Sequence, residues 1–240
     1  MKLVIGNLKM YKELDEVKNY IDFIKGKIRT DLKVVICPPF IYLNLFKSND
    51  YSLGAQNCFY EKEGSYTGEI SPFQLKSIGV EFIIVGHSER RKLFNETDEI
   101  ISKKIDQIMK NNLQCILCIG EDETEKQMHK TSIVIKRQLL NALENVDGDM
   151  IRDIIIAYEP IYAIGTGNVP ENSDIEEAIH YIRSIILEKY NFDGIKVIYG
   201  GSINEQNIEN IINIKGIDGV LIGGASLKPE GFLNIINEIN

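Results

Sequence analysis

Side chains able to exchange protons stand at three widely separated points of the sequence, each directly after a short apolar run. Asn7 and Lys9 follow the first run, His87 and Glu89 follow another, and Glu159 follows a third. Imidazole and carboxylate groups are common general acids and bases, and an ammonium group supplies fixed positive charge. If these runs are strands whose ends meet, the residues predict the acid–base half of one site.

Glycine-rich turns follow the apolar runs in the last third of the chain. Gly165 opens a Gly-Thr-Gly stretch, Ser202 ends a Gly-Gly-Ser turn, and Gly223 and Gly224 are adjacent. Glycine lets the backbone approach a phosphate group closely and point its N–H groups at it. These turns therefore predict an anion-binding half of the same site.

Each of these residues also has an ordinary structural explanation. Glu159 could belong to a buried ion pair, and Lys9 could be a surface lysine. His129 and His180 lie in polar or amphipathic helical stretches, so both are predicted on the surface.

The sequence lacks the H-E-x-x-H spacing of a metal site, and residues 165–170 lack the third glycine of a dinucleotide fingerprint. Neither a metal nor a cofactor is expected.

The elements that must position these residues are apolar runs alternating with helical patterns. Residues 154–157 form an unbroken apolar run, which is typical of a strand covered on both faces in a parallel sheet. The predicted strands are residues 3–7, 33–37, 52–56, 82–85, 114–119, 153–158, 196–199 and 219–222.

Eight strands, each followed by a helical segment, predict an α/β fold, a single-domain (β/α)₈ barrel over residues 1–240 with an outer ring of helices. The candidate site residues would lie at the carboxyl ends of its strands, where barrels of this kind place their active sites. Counting elements leaves one alternative open, an open doubly wound sheet.

Several helix starts can be predicted from capping residues. Thr97 is a candidate N-cap for the helix that follows it, and Ser173 with Glu176 matches a capping box. Pro72 and Pro229 fit first-turn positions, where a missing N–H costs nothing.

Composition limits the classes of function. The chain has 240 residues, of which 44% are hydrophobic and 26% charged, as in an ordinary globular protein. Lysine and arginine total 27 against 35 for aspartate and glutamate, which gives a net charge of −8. This balance argues against nucleic-acid binding, which needs a basic face. An anionic small molecule stays compatible, because it responds to the local field of a site.

The N-terminal residues and the cysteines predict a cytoplasmic protein. Only three apolar residues separate Lys2 from the first glycine, which is too short for the apolar core of a secretory signal. No apolar run is long enough to predict a membrane span. Cys115 and Cys118 are three apart in a predicted strand, so they face opposite sides and cannot share a metal or a disulfide. With Cys37 and Cys58 they are expected to be buried thiols in a reducing compartment.

Four motifs, taken with their order and spacing, resemble the triosephosphate isomerase family. They are V-G-H-S-E-R-R at residues 85–91, A-Y-E-P at 157–160, A-I-G-T-G at 163–167 and Y-G-G-S at 199–202. The similarity extends from G-N-L-K-M at residues 6–10 to G-G-A-S-L-K-P at 223–229, nearly the whole chain. The resemblance implies interconversion of dihydroxyacetone phosphate and D-glyceraldehyde 3-phosphate, in glycolysis and gluconeogenesis.

The resemblance also implies a role for each candidate residue. Glu159 would be the catalytic base and His87 a neutral imidazole acting as electrophile. Lys9 would supply positive charge near the developing oxyanion and the phosphate. Asn7 would add a hydrogen bond, and Glu89 would position Lys9 or shuttle protons. The phosphate would be held at Gly165, Ser202, Gly223 and Gly224.

A lid over residues 160–169 is implied as well, since closing it would exclude water from the base and protect the enediolate. The chain departs from the family here: Tyr162 replaces the usual tryptophan of the leading hinge, and Asn168-Val169-Pro170 replaces the common Lys-Thr-Ala of the trailing hinge. Leu8 also stands where many members have tryptophan, with an expected effect on packing only.

Pro170→Ala is expected to change the rate of lid opening while leaving the chemical step unchanged. Proline fixes its own φ and restricts the conformation of Val169 before it, so the trailing hinge loses a constraint in the variant. NMR relaxation dispersion on both proteins measures the exchange rate. Identical rates would contradict this prediction.

Residues 60–71 form a segment longer than most βα loops. In the family it reaches into a neighbouring subunit, with the position of Thr67 near Asn7 of the other chain, so the resemblance implies a homodimer.

Two other functions stay open from the residues: a phosphate-sugar lyase or synthase on the same barrel, and a non-catalytic phosphate-binding protein.

Overall fold

Eight parallel strands close into one barrel in the computed structural model, which describes residues 1–163 and 170–240. The strands are β1 Leu3–Asn7, β2 Lys33–Cys37, β3 Ser52–Ala55, β4 Phe82–Val85, β5 Gln114–Ile119, β6 Ile154–Tyr158, β7 Lys196–Tyr199 and β8 Gly219–Ile222. Each pairs with its neighbours in chain order, and β1 also pairs with β8, with Leu3 opposite Gly219. The barrel prediction is confirmed, and the open-sheet alternative is wrong.

In the described residues, α-helices follow every strand except β2, which only a 3₁₀ turn follows. They are α1 Leu14–Ile24, α2 Pro72–Ser77, α3 Ser88–Leu93, α4 Asp98–Lys110, α5 Glu123–Gln127, α6 Thr131–Ala142, α7 Asn172–Tyr190, α8 Ile208–Ile212 and α9 Pro229–Ile239. Short 3₁₀ turns occupy Phe40–Leu45, Gly148–Asp153, Ile161–Ala163 and Gly224–Leu227. None of the helices within residues 1–163 and 170–240 is long and apolar enough to cross a membrane.

The strands divide their apolar side chains between two cores because successive residues of a strand face opposite sides. On β6, Ile155 and Ala157 point into the barrel, whereas Ile154 and Ile156 pack against the helices outside. Cys118 belongs to the inner core and Cys115 to the outer one. All four cysteines are buried and free, as predicted.

Helix starts agree with the sequence in three cases and differ in one. Thr97 caps α4 through its side chain, and Pro72 and Pro229 lie in the first turns of α2 and α9. The predicted Ser173–Glu176 capping box is wrong. Helix α7 begins at Asn172 with Glu171 as its N-cap, so Ser173 already lies inside the helix.

Two strand ends also differ from the prediction by one residue each. Strand β3 ends at Ala55 rather than at residue 56. Strand β6 begins at Ile154, because Asp153 still belongs to the preceding 3₁₀ turn.

Candidate active site

A cavity of about 260 Å³ opens at the carboxyl ends of the strands. It gathers residues that follow β1, β4, β6, β7 and β8 and are far apart in the sequence. Its lining consists of Asn7, Lys9, Tyr11, His87, Glu159, Gly200, Gly201, Ser202, Ile203, Leu221, Gly223, Gly224 and Leu227. Of the predicted acid–base and anion-binding residues that the structure describes, all except Glu89 thus lie around one space.

Glu159 enters the cavity because it continues the inward-facing alternation of β6. Ile155 and Ala157 point into the barrel, and Glu159 is the next residue of that series. The side chain is only 2% exposed, so it depends on space left by glycines. A Cβ at Gly200 would lie 2.8 Å from the Glu159 Cγ, and a Cβ at Gly120 would lie 1.8 Å from the Glu159 carbonyl oxygen. A side chain at position 120 would displace the Glu159 backbone, and one at position 200 would displace the Glu159 side chain.

The two oxygens of the Glu159 carboxylate have different surroundings. Oε2 accepts a hydrogen bond from the backbone N–H of Ser88 at 3.1 Å. Oε1 has no hydrogen-bond partner among the described residues and lies 3.4 Å from Nε2 of His87. A buried carboxylate oxygen without a partner is costly, which marks it as an acceptor available to a ligand.

His87 occupies the N-cap position of α3, and this fixes its tautomer. Its Nδ1 accepts a hydrogen bond from the backbone N–H of Glu89 at 3.3 Å. A nitrogen that accepts carries no proton, so the neutral ring has its proton on Nε2, which faces Glu159. The Glu89 carboxylate lies 3.6 Å from the same Nδ1.

Lys9 is held in a left-handed backbone conformation, with φ of 51°. Such a conformation is unfavourable for a residue with a Cβ and needs support from its surroundings. Asn7 accepts from the Lys9 N–H through Oδ1 at 3.0 Å, and the Gln56 side chain donates to the Lys9 carbonyl at 2.9 Å. These two bonds supply that support.

The Lys9 ammonium group connects the two halves of the cavity. It donates to Oε1 of Glu89 at 2.6 Å, although Glu89 itself does not line the cavity. A Cβ at Gly223 would lie 3.4 Å from Nζ, so the ammonium passes close to the glycines after β8. Lys9 is the only cationic side chain among the described residues that line the cavity.

The turns after β7 and β8 hold the described residues of the predicted anion-binding half. A Cβ at Gly201 would lie 2.1 Å from the hydroxyl oxygen of Tyr199, whereas a Cβ at Gly224 would meet nothing within 4 Å. Gly224 begins a 3₁₀ turn, and the first N–H groups of such a turn have no partner within it. Ser202 adds a hydroxyl group to the lining.

Gly165 lies outside the described residues, as do residues 164–169 of the predicted lid. The start of the lid is described: the Ile161 N–H donates to the Glu121 carbonyl at 2.9 Å, and the Ala163 N–H donates to the Pro160 carbonyl at 2.8 Å. The Tyr162 ring lies 5.9 Å from the Lys126 ammonium, and burial raises the pKa of its hydroxyl.

Burial keeps the Cys118 thiol and the Tyr199 hydroxyl, both near the site, in their protonated forms. Burial raises the pKa of the Cys118 thiol, and the nearby Glu159 carboxylate raises it further. Burial also raises the pKa of the Tyr199 hydroxyl. Neither group competes with Glu159 as a base at neutral pH.

A second cavity, of about 470 Å³, lies outside the barrel between α6 and α7. His129 and His180 contribute to its lining, and both are exposed as predicted. It contains none of the groups that follow β1, β4 or β6, so its larger volume does not make it the catalytic site.

Comparison with known proteins adds a decisive finding to this geometry. The family model described as triosephosphate isomerase matches residues 2–239. The chain belongs to the triosephosphate isomerase family. A protein of that name from Alkaliphilus oremlandii is 46% identical over 243 residues, and the alignment covers 98% of each chain.

Other relatives with the name triosephosphate isomerase are equally complete. The protein from Dictyoglomus thermophilum is 45% identical, with 98% of both chains covered. The protein from Lactobacillus helveticus is 37% identical, with 98% of this chain and 97% of the relative covered. The resemblance of this sequence to the triosephosphate isomerase family is therefore confirmed.

Some residues of this triosephosphate isomerase family site were not predicted from the sequence. Tyr11 lines the cavity, Gln56 supports Lys9, and Gly120 makes room for Glu159. Gly120 directly follows a strand, which is a usable sequence signal. Gln56 likewise directly follows a strand, β3, whereas Tyr11 lies four residues after β1 and carries no such signal.

Proposed function

We propose that the chain interconverts dihydroxyacetone phosphate and D-glyceraldehyde 3-phosphate, with Glu159 as base, His87 as electrophile and Lys9 as fixed positive charge. The observation that carries this proposal is the convergence of these three groups, from three separate strand ends, on one cavity of about 260 Å³. The family membership of the chain supports the same reaction.

The proposed reaction moves one proton between adjacent carbons. Glu159 removes a proton from C1 of dihydroxyacetone phosphate, and the electron pair of that C–H bond forms a C1–C2 double bond while the carbonyl oxygen on C2 becomes negative. His87, with its proton on Nε2, donates to that oxygen and allows proton exchange between the two oxygens of the enediolate. Glu159 then returns a proton to C2, which gives glyceraldehyde 3-phosphate.

The contacts of Glu159 fit the first step of this reaction, the removal of a proton from carbon. Its Oε2 is bonded to the Ser88 N–H, and its Oε1 is buried without a partner among the described residues. An acceptor oxygen without a partner can take a proton from a substrate carbon without first losing a hydrogen bond. Closing the predicted lid would remove the remaining water.

The charge distribution of the cavity supports a phosphorylated triose as substrate. Lys9 lies between the acid–base half and the glycines of the anion-binding half, with Asn7 holding its backbone. Gly165, Ser202, Gly223 and Gly224 are proposed to bind the phosphate through N–H and hydroxyl groups. Glu89 is proposed to hold the Lys9 ammonium rather than to touch the substrate.

An assay of D-glyceraldehyde 3-phosphate turnover tests the proposal. The isomerase should give dihydroxyacetone phosphate as the sole product, without a second substrate. A lyase or synthase would cleave or join carbon chains, and a binding protein would give no turnover. Binding alone needs no base, so the buried Glu159 carboxylate argues against the binding protein.

We also propose a homodimer in which residues 60–71 reach the partner subunit. Large apolar side chains are exposed on the segments after β1 to β4, which are neighbours around the barrel. They include Met10, Ile41, Tyr66, Phe73 and Phe94, with exposures of 93%, 80%, 42%, 46% and 64%. An exposed apolar surface on one side of a barrel is typical of an interface.

Ile41→Lys is expected to weaken the dimer without unfolding the chain. Ile41 is 80% exposed, so a lysine costs the folded monomer little, whereas burying its charge in an interface would raise the dissociation constant by more than about 100-fold. Sedimentation should give about twice 27.3 kDa for the wild type and a lower mass for the variant.

The matched control is Ile133→Lys, because Ile133 is 62% exposed on α6, away from β1 to β4. It should sediment like the wild type. A monomeric wild type at micromolar concentration would refute the proposed dimer.

Two broader proposals complete this function. Residues 1–240 would act as one domain, since site residues come from both ends of the chain. The cytoplasm is the proposed location, and the four buried, free cysteines are consistent with its reducing conditions.

A further inference from the structure

Arg91 forms a fork that joins the ends of two strands near the site. From α3, its Nε donates to the Gly86 carbonyl at 2.8 Å and its Nη2 donates to the Cys118 carbonyl at 3.2 Å. Its Nη1 is bonded to Oδ1 of Asp98, in the first turn of α4, at 2.6 Å. The side chain is only 15% exposed. Its donors are therefore directed to fixed acceptors rather than to water.

The two carbonyl groups that Arg91 binds are connected to the proposed catalytic groups, one along the chain and the other through a hydrogen bond between strands. Gly86 directly precedes His87, and a Cβ at Gly86 would lie 3.0 Å from Nη2 of Arg91. Cys118 directly precedes Ile119, whose carbonyl accepts from the Glu159 N–H at 2.7 Å. One guanidinium thus connects the backbone before His87 with the backbone that anchors Glu159.

Arg91 and Glu159 also line the same narrow gap behind the site, together with Ser88 and Gly120. The Ser88 N–H that binds the Glu159 carboxylate lies on this side. A shift of β4 relative to β5 would change both that hydrogen bond and the 3.4 Å separation between His87 Nε2 and Glu159 Oε1.

We infer that Arg91 is a positioning residue that sets the distance between His87 and Glu159 by joining the ends of β4 and β5. This inference rests on the proposed function. Lysine cannot replace arginine here, because one ammonium nitrogen cannot reach acceptors that a planar guanidinium binds through three separate nitrogens.

Arg91→Lys is expected to lower kcat by about 10- to 100-fold, the effect of a small misalignment of reacting groups. KM for glyceraldehyde 3-phosphate and the inhibition constant of inorganic phosphate should change little, because Arg91 does not touch the turns after β7 and β8. A lower kcat with an unchanged phosphate affinity distinguishes positioning from general loss of structure.

Arg183→Lys is the matched control. Arg183 forms the same kind of fork, donating to the carbonyls of Ile195 and Gly216 and pairing with Asp218. That fork precedes β7 and β8, at the end of the barrel opposite the site. The control should lose thermal stability to a similar extent and keep the wild-type kcat.

The outcomes separate this inference from the proposed function. No turnover by the wild type, or full turnover by Glu159→Gln, would overturn both. An active wild type and an inactive Glu159→Gln, combined with a wild-type kcat in Arg91→Lys, would overturn only the role of Arg91. An equal loss of kcat in Arg183→Lys would do the same.

If Arg91→Lys does not fold, Asp98→Asn takes its place with Asp218→Asn as control. Removing the Asp98 charge loosens the same fork, so kcat should fall in Asp98→Asn and stay at the wild-type level in Asp218→Asn. Equal kcat values in the two variants would overturn the inference.

Discussion

Glu159→Gln is expected to lower kcat for glyceraldehyde 3-phosphate by about 10²- to 10⁴-fold, the usual contribution of a positioned general base. Glutamine has nearly the same shape, and its side-chain oxygen can still accept from the Ser88 N–H that now binds Oε2. It cannot take a proton from carbon at neutral pH. Binding of inorganic phosphate should therefore stay unchanged while turnover is lost.

Glu121→Gln provides the control for loss of a buried carboxylate. Glu121 is fully buried after the neighbouring strand β5 and accepts from the hydroxyl groups of Tyr158 and Thr131. It does not line the cavity, so this variant should retain most of its activity. Wild-type turnover in Glu159→Gln would show that the base has been assigned to the wrong residue.

Lys9→Met is expected to lower kcat/KM by about 10²- to 10³-fold, the typical cost of deleting one donor to a developing oxyanion. The substrate brings a phosphate group and generates a second negative charge on the enediolate, and Lys9 is the only cation among the described residues lining the cavity. Removing it leaves both charges without a fixed counter-charge. Steady-state kinetics at several salt concentrations measure the effect.

Lys12→Met controls for the change of net charge. Lys12 lies three residues away, also has a left-handed backbone with φ of 75°, and does not line the cavity. Both variants have the same total charge, so both should lose the same long-range attraction for the substrate. Equal losses of kcat/KM would mean that Lys9 acts only through this attraction and not at the reacting atoms.

The strand pattern was predictable because each strand is buried on both faces. Residues 154–157 must be apolar throughout, since alternate side chains fill the barrel interior and the layer under the helices. The closure of the barrel could not be predicted by counting strands and helices. It requires β8 to pack beside β1, where a Cβ at Gly219 would lie 2.1 Å from the Leu3 carbonyl oxygen. Nothing in the local sequence around Gly219 indicates that contact.

The site was predictable in its residue types and less so in its supporting contacts. Asn7, Lys9, His87 and Glu159 could be located because each stands at or just after the end of a strand, and all four line one cavity. The proton on Nε2 of His87 could not be assigned, because it depends on a hydrogen bond from the Glu89 N–H at the start of a helix.

The sequence by itself determined the order of strands and helices and the chemical groups at the strand ends, because burial and side-chain alternation are local properties. Only the tertiary structure decided that the first and last strands pair and which backbone groups hold the Glu159 carboxylate. It also decided that one arginine joins the ends of β4 and β5. These features depend on distances of a few ångströms between segments far apart in the chain, and no local pattern encodes such distances.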